Sequence, residues 1–133
     1  MAHIIDKIAW IHLENHKVLV ARSKDKETFY LPGGKREVGE HDMDTLVREI
    51  EEELSVHIQP ESAAMLGIFE AKADGKSVDV KVNMTCYTAD YTGDLAPASE
   101  IEEIQYFSYE DRHRVSAVSQ HIFDELRKRG WLQ

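Results

Sequence analysis

At 133 residues, 42% hydrophobic and 31% charged, the chain has enough apolar material to bury a core; this separates it from disordered chains and fits one domain over residues 1–133. Its 25 acidic and 16 basic residues give a formal charge of −9, which repels phosphate backbones and argues against extended nucleic-acid binding while leaving small phosphorylated ligands open. The single cysteine, Cys86, excludes an internal disulfide, no stretch approaches the roughly 18 apolar residues of a membrane span, and residues 1–7 show no basic leader, so a cytoplasmic protein away from the membrane is expected.

In chain order, residues 5–13 place Ile8, Trp10 and His12 on one parity and Ala9, Ile11 and Leu13 on the other, the pattern of a mostly buried strand. Glu14-Asn15-His16-Lys17 then turns into a second strand at 18–22, which predicts a hairpin. A short strand at 28–31 is expected to stop at Pro32-Gly33-Gly34. Over 42–54, Met43, Leu46, Val47, Ile50 and Leu54 recur at helical spacing, with His41-Asp42 as the N-terminal cap. Strands follow at 64–71 and 77–91, joined by a turn at 72–76, and after a turn at Thr92-Gly93-Asp94 another strand runs over 101–109. Cys86, in an alternating run, reads as a packing residue. A second helix over 116–129 aligns Val118, Ile122 and Leu126 and stops at Gly130. Strands, helix, strands, helix predict an α+β domain whose helices cover a sheet.

The chemistry is concentrated between Gly33 and Val56. Each helical residue advances about 100°, so Glu49, Glu52 and Glu53 share one face beside the apolar stripe. Crowded carboxylates repel one another unless cations sit among them, and hard oxygen ligands suit Mg²⁺, with Mn²⁺ as a substitute. Gly33 and Gly34 let the backbone approach a ligand closely, and Lys35 and Arg36 can offset phosphate charge. An acidic helical run alone is more often a solvated face; its pairing with a Gly-Gly loop and Glu40 is what favours a site. The seven histidines show no zinc-site spacing.

This stretch resembles the Nudix box. Gly34 is followed after five residues by Glu40, and after seven more by Arg48-Glu49, aliphatic Ile50, Glu52-Glu53 and aliphatic Val56, with Ser55 where that family has glycine. Eight of nine defined positions match over 23 residues. The serine is expected to take a less left-handed backbone in the turn after the helix, and it removes no ligand.

The resemblance implies an α/β/α sandwich with a mixed sheet between helices. It implies Glu52 and Glu53 as principal metal ligands, Glu49 as ligand or water activator, and Arg48 as the group that holds a glutamate in position. Glu40 would assist from the loop, through a water or by orienting Glu49, and the Gly33 carbonyl would be a further ligand. One more acid is expected from a later loop, Glu100 first and Glu103 second. Gly34 would permit the tight loop and, with Lys35, meet the substrate. Arg22 and Lys24, at the end of the second strand, are candidates for its phosphates, against the reading of an ordinary basic strand end. Trp10, Phe29 and Tyr30 are candidate base-stacking groups, although aromatics in strands are more often core.

The implied reaction is Mg²⁺-dependent attack of water on a diphosphate in a nucleoside diphosphate linked to another moiety. The alternatives are a nucleoside triphosphate pyrophosphohydrolase that clears damaged nucleotides, and a Nudix-fold ligand sensor without turnover, which the retained box acids disfavour. Residues 70–73 carry neither the proline nor the tyrosine that marks some subfamilies. A small nucleotide-like partner and a homodimer are expected from the family.

Overall fold

The computed structural model describes residues 3–73 and 79–133. Its strands are β1 (His3–Trp10), β2 (Leu13–Glu14), β3 (Lys17–Ser23), β4 (Gly33–Lys35), β5 (His57–Ile58), β6 (Ala64–Lys72), β7 (Val80–Thr88), β8 (Tyr91–Thr92) and β9 (Ile101–Phe107). The helices are α1 (Asp42–Leu54) and α2 (Ala117–Lys128).

Alternation along β1 and β3 decides the layering. Ile8, Trp10 and Leu19 pack with Leu46, Ile50 and Leu54 of α1. Ala9, Ile11, Val18 and Val20, of the other parity, pack with Val118, Ile122, Phe123 and Leu126 of α2, and Cys86 joins them as a packing residue. Each helix therefore closes its own apolar layer, and the expected sandwich is present. Leu46, Ile50 and Leu54 are fully buried; at roughly 1.5–3 kcal/mol per such side chain, they fasten α1 and the acids it carries.

The larger sheet is mixed, in the order β4-β1-β7-β6, with β1 and β7 parallel and the other pairs antiparallel. An antiparallel sheet runs β2-β3-β9, and β5 pairs with β8.

The hairpin expected between residues 5–13 and 18–22 shrinks to Leu13↔Val18 and Glu14↔Lys17. Both edges of β1 are already taken, by β4 and β7, so β1 has none left for β3. The strand expected at 28–31 is reduced to isolated bridges, Ala21↔Tyr30 and Phe29↔Val115. Where a stop was expected, Gly33, Gly34 and Lys35 form β4 opposite Ala9, Ile8 and Lys7. Glycine is what allows this approach: a Cβ on Gly33 would lie 2.0 Å from the Ile8 carbonyl oxygen, and its φ is +148°. Most of the expected 72–76 turn lies outside the described residues. The final strand ends at Phe107, and Tyr109–Arg114 forms a 3₁₀ helix.

Helix α1 has the predicted bounds, with His41 as its N-cap residue. The His41 amide donates to the Asp44 carboxylate at 2.9 Å, while Asp42 binds Arg36 and the Tyr87 hydroxyl. At the other end Ser55 is fully left-handed, with φ 65° and ψ 21°, contrary to the expectation for serine. The chain must turn there to bring Val56 into the core. A non-glycine residue in this region costs about 1–2 kcal/mol, partly offset because glycine loses more freedom on folding. Ser55→Gly is accordingly expected to stabilise the protein by about 0.5 kcal/mol, raising the melting temperature by about 1–3 °C. A lower melting temperature in a thermal scan would contradict this account. No described helix is long and apolar enough to cross a membrane.

Candidate active site

Strand β4 lies against α1, and Arg48 joins them. Its Nε and Nη2 donate to the two oxygens of Glu40, both at 2.9 Å, and its Nη1 donates to Glu49 Oε1 at 2.8 Å. Nη2 also reaches the Lys35 carbonyl at 3.3 Å. Glu40 Oε1 further accepts from the Glu37 amide and the Thr45 hydroxyl. The Arg48 fork, followed by the Glu37 amide, holds the Glu40 carboxyl down at about 2. Glu40 is thus a permanently charged brace between loop and helix, and Glu49 is held on one oxygen.

Glu53 is buried, and its Oε1 accepts the Gly33 amide at 3.1 Å. Burial pushes its carboxyl up to about 8, and the nearby charges of Glu49 and Glu100 add to this against the opposing Gly33 hydrogen bond. Glu49 is also raised, chiefly by burial, in spite of Arg48. Gly34 makes room for it: a Cβ there would lie 2.3 Å from Glu49 Cδ. A cleft of about 410 Å³ is lined by Gly33, Gly34, Lys35, Glu49, Glu53 and Glu100, with Lys7, Lys26, Tyr30 and Met84 nearby.

The structure therefore brings together Gly33, Gly34, Lys35, Glu49, Glu53 and Glu100. Glu52 is exposed beside these acids, with Oε2 3.8 Å from Arg48 Nη1 and its charge helping to raise Glu49. Other sequence candidates lie away from the cleft. Glu103 pairs with Arg22 at 2.9 Å, which occupies both, and Arg22 also donates to the Lys26 carbonyl. Lys24 gives its amide to the Glu100 carbonyl and does not line the cleft. Arg36 is bound by Asp6 and Asp42. Trp10 is fully buried, and Phe29 belongs to the core beside α2. Lys7, Lys26 and Met84 were not foreseen. Lys7 carried a signal, since it shares the parity of Ile5 and Ala9 on β1, where an apolar residue is the rule.

The donor set fits a hard divalent cation. Glu53 is a buried carboxyl whose Oε1 takes the Gly33 amide, with the charges of two more acids around it. Burial disfavours its charged form, a cost that a bound cation offsets. Among the described residues no three acidic, histidine or cysteine side chains already converge as a full ligand set. A cation would therefore keep several waters, as Mg²⁺ commonly does.

A family model described as the NUDIX domain matches residues 6–126. No curated protein sequence gives a significant match. The fold is similar to the solution structure of the E. coli ORF135 protein, with TM-score 0.72 and 21% identity over 95% of this chain and 92% of that one. It is also similar to the MutT NUDIX hydrolase from Burkholderia pseudomallei, with TM-score 0.75 and 19% identity over 92% and 97% of the two chains. A UDP-X diphosphatase gives TM-score 0.71 and 20% identity over 98% of this chain and 65% of that one. At these identities the likeness is one of fold.

Proposed function

Because the chain belongs to the Nudix family, we propose that it is a Mg²⁺-dependent hydrolase, in the cytoplasm, that cleaves the diphosphate linkage of a nucleoside diphosphate joined to another moiety. The observation that carries this reading is one cleft holding buried Glu53 with Glu49 and Glu100 at the glycine strand Gly33-Gly34, and Lys7, Lys26 and Lys35 beside them. Acids suit the cation; lysines and open backbone suit phosphate.

Glu53, Glu49 and Glu52 would hold the cation, with the Gly33 carbonyl and Glu100 as further donors. When bound, it supplies charge neutralisation at the phosphate oxygens and a more acidic water. Lys35 and the backbone at Gly34 orient the diphosphate. Arg48 fixes Glu49 by one oxygen, and the other, Oε2, would take the proton of the attacking water, a contribution of about 10²- to 10⁴-fold. The water oxygen bonds to phosphorus as the bridging P–O bond breaks, so each fragment leaves with a phosphate terminus.

The test is incubation with Mg²⁺ and nucleotide sugars, ADP-ribose, dinucleoside polyphosphates and nucleoside triphosphates, with products resolved by chromatography. Cleavage within a diphosphate is expected, falling to background with EDTA and returning with Mg²⁺ or Mn²⁺. Turnover undiminished by EDTA would remove the cation from the reaction. Selective cleavage of triphosphates would establish the pyrophosphohydrolase alternative, and metal-dependent binding without products would establish a sensor.

A further inference from the structure

The cleft continues beyond the acids. Tyr30, Met84, Lys7 and Lys35 also line an adjoining recess of about 260 Å³, whose other walls include Ile5, Val82, Val118 and Lys72. Its charge is one-sided. Three lysines line it and, among the described residues, no acid does, in a chain whose net charge is −9. The sheet itself places two of them together, because Lys7 and Lys35 stand directly opposite each other on β1 and β4. Lys7 stands over the Tyr30 ring and within the field of Glu53, so an added anion in the recess falls to Lys35 and Lys72. Lys35 and Lys72 make no ion pair among the described residues.

Among the described residues no Asn, Gln, Asp, Glu or Arg lines the recess, so no described side chain offers it the bidentate hydrogen bonds that distinguish bases. Of its hydroxyls, that of Ser116 is already shared with Ser119 at 2.8 Å. What is left is apolar contact and positive charge.

We propose that this recess binds the far moiety of the diphosphate substrate, and that the chain prefers far moieties carrying their own carboxylate or phosphate. The inference rests on the diphosphate reading above and deepens it to a substrate class. The diphosphate lies at the acid end with the cation, the ring or carbon skeleton meets Ile5, Val82, Met84 and Val118, and the second anion meets Lys72, with Lys35 and Lys7 between it and the diphosphate.

Two matched pairs test it: UDP-glucose against UDP-glucuronate, and ADP-ribose against its 1″-phosphate, in which the added anion sits on the far ribose. For each pair kcat/KM is measured with Mg²⁺, and equilibrium binding by calorimetry with Ca²⁺ in place of Mg²⁺ to slow turnover. The anionic member is expected to be favoured about tenfold in both readouts, the larger part of the kinetic effect lying in KM, with the preference shrinking as salt screens the lysines. Lys72→Glu should bring the ratio to within about twofold, whereas Lys128→Ala, at the end of α2, should leave it unchanged. Equal treatment of the pairs by the wild-type protein, binding of neither member, or a ratio indifferent to Lys72→Glu overturns the proposal. Cleavage without preference would leave the hydrolase reading standing and the recess assignment refuted; preference in binding without cleavage would do the opposite.

Discussion

Glu53→Gln is expected to lower diphosphate hydrolysis by about 10³-fold while leaving the melting temperature unchanged or slightly raised. The two halves of this result have different causes. The amide keeps the shape of the side chain and still offers an oxygen to the Gly33 amide, as Glu53 does. It also removes a carboxyl that burial disfavours in its charged form, so folding loses little. What it lacks is the negative charge for which a divalent cation would enter a buried site. The wild-type protein should therefore show a rise in melting temperature on addition of Mg²⁺, and the variant little or none. A variant that retained substantial turnover would move the cation away from Glu53, and one that unfolded would show that the residue has a structural role.

The second large effect separates two adjacent glycines. Gly33→Ala is expected to destabilise the protein by about 3 kcal/mol or more and to lower its melting temperature by roughly 10 °C. The added methyl meets the Ile8 carbonyl oxygen at 2.0 Å and Ala9 Cα at 2.8 Å. Both are backbone atoms of a strand paired on each side, so neither can yield. The atoms nearest the methyl of Gly34→Ala are those at the end of the Glu49 side chain, which can swing aside. That variant should melt within about 1 kcal/mol of wild type yet lose about 100-fold in rate, because the displaced carboxylate is the one Arg48 positions. Thermal scans and initial rates on the pair decide the matter. Equal stability losses, or full activity in Gly34→Ala, would show that the glycines are not divided between packing and chemistry.

What could be read from the sequence was what local spacing encodes. The stripe from Met43 to Leu54 set the bounds of α1, and the same spacing put Glu49 and Glu53 where the cleft lies. The alternation at Ile8-Ala9-Trp10-Ile11 gave a strand buried on both faces. Information held in distant segments was not legible. The turn at Glu14–Lys17 looks the same whether or not β1 has a free edge, so the long hairpin was expected and only a short one forms. Pro32-Gly33-Gly34 reads as a breaker because such residues usually are; here the missing side chains let a strand close on β1. Arg22 was a reasonable phosphate ligand until β9 brought Glu103 beside it. Lys7 reaches the cleft only because β1 is flanked by Lys35 on one side and Met84 on the other.

The parallel pairing of β1 with β7 also bears on synthesis. Trp10 leaves the ribosome long before Thr88, and in that interval the edge of β1 that Val80–Thr88 will cover has no partner. The run Ile8-Ala9-Trp10-Ile11 lies along it, wholly apolar and destined for full burial. A nascent chain in this condition presents an adhesive strand edge to its neighbours, and a fold closed by so distant a pairing completes slowly. Yield of the native protein should therefore depend on keeping nascent chains apart, through slow expression or a chaperone that occupies the first strand.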